Sequence, residues 1–550
     1  MSSSSTVSWR GTSNAGPPPP RPGRLERRLF GCALAVYLFL GGGHIASSDG
    51  NTMFALSESL LAGRLAIPAG NGKLGRDGQL YAKADPGQAV VALPLVVLGK
   101  ATAQLLPDGP YRRYWPKAVA STLNALIGAA ALVLCFRVVK SLGYAPRTAL
   151  LLTLGFGFTT SFLPYTKSYL REPLLALCLL GTFWELRRHA LSQAHAHGDE
   201  ASQVNRRLPP HPLCAGLWLG AGMVIKSTLG LNLLLFAPYL LVTTPATARR
   251  RALLALGIGP MLGLGVIFAY NAARFGHPFT SGYDPTVDNF STPLLVGLYG
   301  QLASSGKSIF LYAPLGFAAL WGIRGLLRHH RPEALIALLI FATNVCFHAR
   351  FASWAGEGSW GPRYLVPFLP FLLLPAAELW QSGRRWRRRA FALALALGLL
   401  VQIGGTAIYF GSYMRAIGEY PYERPFSDPL FMVRSHFVPN YSPVVGHWRL
   451  LGRNVALLLD PESRPRIGFE VSADPAARLP VAEEDQAELP NVIDFWFCYL
   501  LYAGIDTWIV ITLVTVAGAL VVLSVWRLRS AFIAETLARP GPGSLPSPCD

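Results

Sequence analysis

The stretch RRRALLALGIGPMLGLGVIFAY, residues 249–270, decides the class of fold: three arginines, then 19 residues without a charge. About 20 apolar residues cross the hydrocarbon core of a bilayer. Such a run must be helical, because lipid offers no partner to an open backbone, and basic residues beside it mark a cytoplasmic end. The pattern recurs at 391–410, behind Arg384, Arg385, Arg387, Arg388 and Arg389, and an equally apolar run stands at 508–526. With 51% hydrophobic and only 14% charged residues among 550, the chain lacks the charge of an ordinary soluble protein.

The net charge of +19 would suit nucleic acid, but the basic residues sit in short loops at helix ends, and no basic stripe interleaves with aromatics. Nucleic-acid binding is therefore set aside. The 7 cysteines are scattered and mostly inside apolar runs, so they read as small buried hydrophobes, with neither a disulfide framework nor a zinc site.

Hydropathy predicts an all-α polytopic membrane protein with about twelve transmembrane helices, near 28–46, 115–139, 147–164, 170–186, 211–227, 229–243, 252–271, 308–326, 332–349, 364–381, 390–411 and 494–526. Residues 1–27, rich in Ser, Pro and Arg, read as a disordered cytoplasmic tail, and 527–550 as a cytoplasmic tail. Residues 28–411 form the transmembrane domain. The apolar segment 87–106 reads as interfacial or re-entrant, because counting it as a span would invert every later loop against the charge bias. Four substantial segments then lie outside, at 47–114, 272–307, 350–363 and 412–493, the last a loop or small cap. Function is sought there.

In the first outer loop, Asp49 of Ser48-Asp49-Gly50 is either a helix N-cap or a carboxylate fixed near water, as a base needs. Further along the loop, Lys83 and Asp85 stand closest to the membrane surface. In the turn around 164–173, Glu172 lies at the membrane boundary, where an ionisable group is expensive and normally paired; its partner is Arg171 or Lys167 unless it has a functional role. Arg274 follows Tyr270, and the loop 354–364 combines Trp354, Glu357, Trp360 and Arg363, where a guanidinium fork suits phosphate and aromatic faces suit sugar rings. Gly300 to Ser308 imitates a phosphate-binding loop. Its glycine spacing is one residue too long and no strand precedes it, so Lys307 is expected instead to face a lipid phosphate.

In this order, Ser48-Asp49-Gly50, Asp77 to Tyr81 with Pro86-Gly87, Tyr165 to Pro173, Arg274-Phe275-Gly276, Ser304 to Pro314 and Trp354 to Tyr364, the sequence over 28–411 resembles the GT-C glycosyltransferase superfamily. It is similar to bacterial members related to dolichyl-phosphate-mannose–protein mannosyltransferases and to the aminoarabinose transferases of lipid A. The resemblance implies interfacial helices in the first outer loop, a catalytic Asp there, here Asp49, and a sugar donor carried on a polyprenyl phosphate. The chain departs from the commonest pattern in having Gly50 where many relatives have Glu, so Glu172, Asp85 or Glu58 could share the base role. It also lacks the large soluble C-terminal domain of the oligosaccharyltransferases, which weighs against transfer of a preassembled oligosaccharide to protein.

The expectation is an inverting transferase of a multi-pass membrane protein, with its site on the outer face of a bacterial inner membrane. Asp49 takes the proton of a lipid, glycan or protein acceptor, while Lys83, Lys167, Arg274, Lys307 and Arg363 face the leaving phosphate and Arg171 stands with the substrate-binding residues. No cofactor is required by this scheme, and a divalent metal is left open. The rival classes are a transporter or lipid flippase, which would place polar groups at mid-membrane on broken, repeated helices, and a non-catalytic scaffold.

Overall fold

The computed structural model describes residues 23–196, 209–420, 424, 428, 431–465 and 490–537. The expectations for 1–22, for the part of the loop 412–493 that falls within 466–489 and for 538–550 lie outside the described residues. The described residues are all-α but for one antiparallel ribbon between the first and second long apolar stretches, where Gly72–Leu74 pairs with Leu80–Ala82. Asp77 makes its turn, taking the Tyr81 hydroxyl at 2.7 Å.

Six helices among the described residues are long and apolar enough to cross a membrane: Tyr111–Ser141, Ala246–Phe275, Arg331–Ala349, Arg363–Gln381, Arg385–Ala407 and Thr507–Thr536. The expected span 170–186 lies in the continuous helix Glu172–Ala196, which carries Glu185, Arg187 and Arg188; the other segments expected to span are shorter or interrupted, and proline or an extended residue marks several of the breaks. The region 308–326 becomes Ile309–Tyr312, Pro314–Ala319, a 3-10 turn and Ile323–His329, broken first where Ala313 leaves helical geometry ahead of Pro314. The region 211–243 parts at Lys226, whose extended backbone separates Pro210–Ile225 from Ser227–Asn232 and Leu233–Val242. The first helix, Arg24–Phe39, starts inside the stretch read as a tail.

The segment read as interfacial is the helix Gly87–Ala103. Ala89, Ala92, Val96 and Ala103 are buried along one face, against Ser48–Leu61 and Pro110–Ala120, while Val90, Val91, Val97 and Leu98 are exposed on the other. The last helix, Thr507–Leu537, packs along the first, and most of its apolar side chains, Trp508 and Val522 among them, point away from the protein.

Helices Pro210–Ile225 and Ala246–Phe275 pack so tightly that a Cβ on Gly220 would stand 2.1 Å from the carbonyl oxygen of Gly259, so no side chain fits.

Candidate active site

The site begins with a cap. Ser47, in extended backbone, accepts the Gly50 N–H at 3.1 Å and starts the helix Ser48–Leu61. The capping role therefore belongs to Ser47, and Asp49 sits in the first turn with its carboxylate available elsewhere. Arg363 donates to it at 2.8 Å, and Asn71 donates to its second oxygen at 3.3 Å. The same guanidinium donates through Nε to Glu172 at 2.7 Å. One arginine thus holds two carboxylates that are far apart in sequence, and the three differ in access: side-chain exposure is 34% for Asp49, 8% for Arg363 and 3% for Glu172. The second oxygen of Glu172 is buried and has no hydrogen-bond partner among the described residues.

Burial pushes the Asp49 carboxyl up, but the guanidiniums of Arg363 and Arg171 and the bonds from Arg363 and Asn71 outweigh it and hold the group well below the usual carboxylate range. Asp49 is consequently ionised at any physiological pH. It can accept a proton, as a weak base whose availability does not vary.

Asp49 opens onto a cavity of about 250 Å³ whose walls include Tyr165, Glu357, Trp360, Arg363 and Asp494. One wall is the loop 356–361, bent by left-handed backbone at Gly356, Glu357 and Gly361. Glu357 is a non-glycine residue in that region, a strained conformation that persists only where the surroundings enforce it. The enforcing group is Lys307. Its fully buried ammonium donates to the carbonyls of Glu357, Ser359 and Gly361 at 3.1, 2.6 and 3.2 Å, which uses all three of its donors. The Glu357 carboxyl is shifted upward by burial and by the nearby Asp49 charge, against Arg363 and Lys83. Two carboxyls in one cavity therefore have their proton affinities driven apart, a frequent arrangement where one group holds a proton and the other does not.

The structure disperses the other expected cations. Lys83 pairs with Asp288 at 2.8 Å and lies over the Tyr283 ring. Arg274, buried against the Tyr270 ring, gives its donors to the carbonyls of Ala82 and Tyr270 and to Asn271. Lys167 is on the cavity wall, paired with Asp494 at 2.9 Å. Asp85 is buried and accepts the Ser227 N–H at 3.0 Å. Burial raises its carboxyl, only partly offset by that bond and by Arg171 and Arg274. Trp360 lines the cavity with its ring edge tied to Gln402 at 3.0 Å, whereas Trp354 packs behind the loop on His436 and Phe437. Of the expected residues, Asp49, Lys167, Glu357, Trp360 and Arg363 line one cavity, and Glu172 stands directly behind them.

Two features escape a reading of the sequence. Asp494 is clasped by His44 at 2.6 Å, by Lys167 and by the Tyr499 hydroxyl at 3.1 Å, and its backbone N–H bonds the Ala407 carbonyl, which brings the C-terminal region onto the cavity wall. His44 and Asp494 are 450 positions apart, so no local pattern marks them. The other is Gly50. A Cβ there would come within 2.8 Å of both Ile45 and the capping Ser47 oxygen, so the Glu common among the resembling proteins has no room.

Fold and site together define a polytopic all-α membrane protein with an acid–arginine cluster opening into a cavity at one end of its bundle. Among the described residues no group of three or more His, Cys, Asp or Glu could hold a metal ion. No protein-family model matches the chain, and no curated protein does either. Among solved structures it is similar to the oligosaccharyltransferase AglB from Archaeoglobus fulgidus, solved with an inhibitory peptide and a dolichol-phosphate, at 11% identity and a TM-score of 0.43. That alignment covers 74% of this chain and 61% of the other, so the chain spans less than two thirds of that protein. It is also similar to ArnT from Cupriavidus metallidurans bound to undecaprenyl phosphate, at 15% identity, a TM-score of 0.43 and coverage of 93% and 76%. The apo form of that protein gives 15% identity, a TM-score of 0.44 and coverage of 78% and 79%.

Proposed function

We propose that the protein is a membrane glycosyltransferase that moves a sugar from a polyprenyl-phosphate carrier to a lipid, glycan or protein acceptor at the non-cytoplasmic face of a bacterial inner membrane. The observation that carries this reading is Asp49: an acid kept ionised by Arg363, a third exposed, on the wall of a cavity with room for a sugar. The sequence resemblance independently assigns the base role to that position.

The acceptor hydroxyl or amine attacks the anomeric carbon from the side opposite the carrier, with inversion. Its proton passes to Asp49, the new bond to carbon forms, and the bond from carbon to the phosphate oxygen breaks with its electron pair left on the phosphate. Arg363 keeps Asp49 oriented toward the cavity and spreads the charge that Asp49 shares with Glu172. Trp360 and Tyr165 shape the wall against which the sugar stands, and Glu357, with its raised proton affinity, is placed to hydrogen-bond a sugar hydroxyl.

The test is transfer from a radiolabelled polyprenyl-phosphate sugar by the purified protein, wild type against Asp49→Asn. Labelled product from wild type and little or none from the variant is the expected result. Export of the intact lipid across vesicles by both proteins, without glycosidic product, would replace this reading with that of a flippase.

A further inference from the structure

Helix Pro443–Leu459 falls in the segment expected to be a loop or small cap, yet it packs on the side of the spanning helix Arg385–Ala407. The depth of that contact follows from the spanning helix itself. Its arginines stop at Arg389, and the 18 residues from Ala390 to Ala407 rise about 27 Å at 1.5 Å each, close to the ~30 Å of a hydrocarbon core. Ala407 therefore stands near the boundary at the cavity end. The Trp448 indole N–H donates to the Leu400 carbonyl at 3.1 Å, and His447 meets the Gly404 carbonyl at 3.2 Å. Leu400 is seven residues short of Ala407, about 10 Å along the helix. The contact thus lies on the hydrocarbon side of that boundary.

The two faces of Pro443–Leu459 differ. One buries Gly446, His447, Leu450 and Asn454. On it the His447 ring lies 4.3 Å from the ring of Trp360, a residue of the cavity wall, and a Cβ on Gly446 would stand 2.0 Å from the Tyr413 ring. The other face exposes Val445, Trp448, Val455 and Leu459, with Arg449 and Arg453 beside them. An apolar stripe carrying a tryptophan and flanked by arginines is the make-up of a helix lying in the plane of a membrane surface, its apolar side chains about 5–10 Å into the acyl boundary and its guanidiniums reaching the headgroups. The stripe also continues a surface that is already lipid-facing, because Leu397, Leu399, Leu400 and Ile403 are exposed on the same spanning helix that Trp448 contacts.

We propose that Pro443–Leu459 is seated in the bilayer, with Val445, Trp448, Val455 and Leu459 in the acyl boundary of one leaflet and Arg449 and Arg453 at its phosphate groups. The same helix packs His447 on Trp360, so this wall of the cavity is backed by the membrane rather than by a water-borne cap. The seat is independent of the reaction that the cavity performs. The chain's own residues 466–489 are a poorer cover for the stripe, since they include Glu470, Asp474, Glu483, Glu484, Asp485 and Glu488, and carboxylates are expensive against hydrocarbon.

Photocrosslinking of the full chain in vesicles of phosphatidylethanolamine and phosphatidylglycerol tests it. The photoreactive residue p-benzoylphenylalanine replaces Val455 or Leu459, with Leu397 on the spanning helix as the lipid-facing reference and Gln79 at the turn of the ribbon as the water-facing one. Trp448 is left in place, because its replacement gives up the bond to Leu400. After irradiation, intact mass and peptide mapping are read on variants that elute as monodisperse protein. Val455→p-benzoylphenylalanine and Leu459→p-benzoylphenylalanine should each gain the mass of one phospholipid, in a yield like that at Leu397, while Gln79 gains none. Adducts at Leu397 but at neither 455 nor 459 overturn the seat in the bilayer. Cross-links from 455 or 459 to a peptide within 466–489 in place of lipid assign the stripe to the chain itself and overturn it as well.

Discussion

Both ends of the bundle bury acids against bases, and they do so differently. At the end away from the cavity each acid has a base of its own, although the buried Nε of Arg187 is left without a hydrogen-bond partner among the described residues. Arg187 meets Glu333 at 2.7 Å with the Tyr239 hydroxyl added at 3.0 Å, and Glu26 takes both Nε and an amino group of Arg137. Glu378 accepts from Tyr144 and stands against His329. At the cavity end Arg363 is divided between Asp49 and Glu172, Glu172 keeps an oxygen without a partner among the described residues, and Asp49 faces open space. Separate pairs fasten helices. A shared arginine leaves one acid accessible, which is what a proton-transfer site needs and what a fastener should avoid.

The contrast breaks most directly by removing one acid from each end. Asp49→Asn keeps size and leaves Arg363 paired with Glu172, so the thermal midpoint should stay near wild type while turnover falls by about 100-fold to 10,000-fold. A well-folded variant retaining more than about a third of wild-type turnover would take Asp49 out of the base role. Glu333→Gln should do the reverse: it strands Arg187 in a site where Glu333 is 5% exposed, which costs about 3–5 kcal/mol, and activity per folded molecule should hold. Thermal unfolding in detergent and specific activity, measured on the same preparations, separate the two outcomes.

Much of this organisation is legible in the sequence, and the remainder is hidden for definite reasons. Apolar runs and arginine-rich turns mark the bundle, because the bilayer imposes length and charge bias on each segment separately. They do not mark where Pro314 or the extended Lys226 interrupts a run, since a break changes hydropathy very little. Asp49, Glu172, Glu357, Trp360 and Arg363 are legible as unusual residues beside the apolar runs, and the structure gathers them. What the sequence hides is the direction a cation points. Lys307 follows a glycine in a motif that suggests phosphate, yet its ammonium turns inward to three carbonyls. Arg274 is likewise spent on its own helix and the ribbon. Pairings such as His44 with Asp494 depend on the whole topology and leave no local trace.

The shared arginine also predicts a pH dependence. The folded carboxyl of Asp49 lies below its unfolded value of about 3.9. Its contribution to stability is therefore present above that value and lost as pH falls through the lower, folded one, and its ionised, active form follows the same course. In wild type, kcat/KM should show no acid limb from this group between about pH 5 and 8. Arg363→Gln removes the chief lowering influence while the burial remains, so the carboxyl moves upward and activity should begin to fall already below about pH 6. An acid limb in the same place for both proteins would detach the Asp49 charge from Arg363. Should the arginine variant fail to fold, Glu172→Gln offers the converse, since relieving Arg363 of its second carboxylate should hold Asp49 at least as low as in wild type.

The smallest effect belongs to Asn71, the second group on Asp49. Its side chain is exposed and its bond to the carboxylate is long at 3.3 Å, whereas its backbone makes firmer bonds, accepting from Lys83 N–H and donating to the Thr52 hydroxyl at 2.7 Å. Asn71→Ala keeps those backbone bonds and deletes only the one to Asp49. Two consequences oppose each other: without that donor the carboxylate becomes a slightly stronger base, and it also loses one of the two contacts that aim it. A long hydrogen bond at an exposed site contributes about 1 kcal/mol or less, so kcat should change by no more than about fivefold, with KM for the lipid donor unchanged. A loss approaching that of Asp49→Asn would mean that Asn71 touches the acceptor itself, and the reacting groups would then lie nearer the ribbon Gly72–Ala82 than the cavity wall around Trp360.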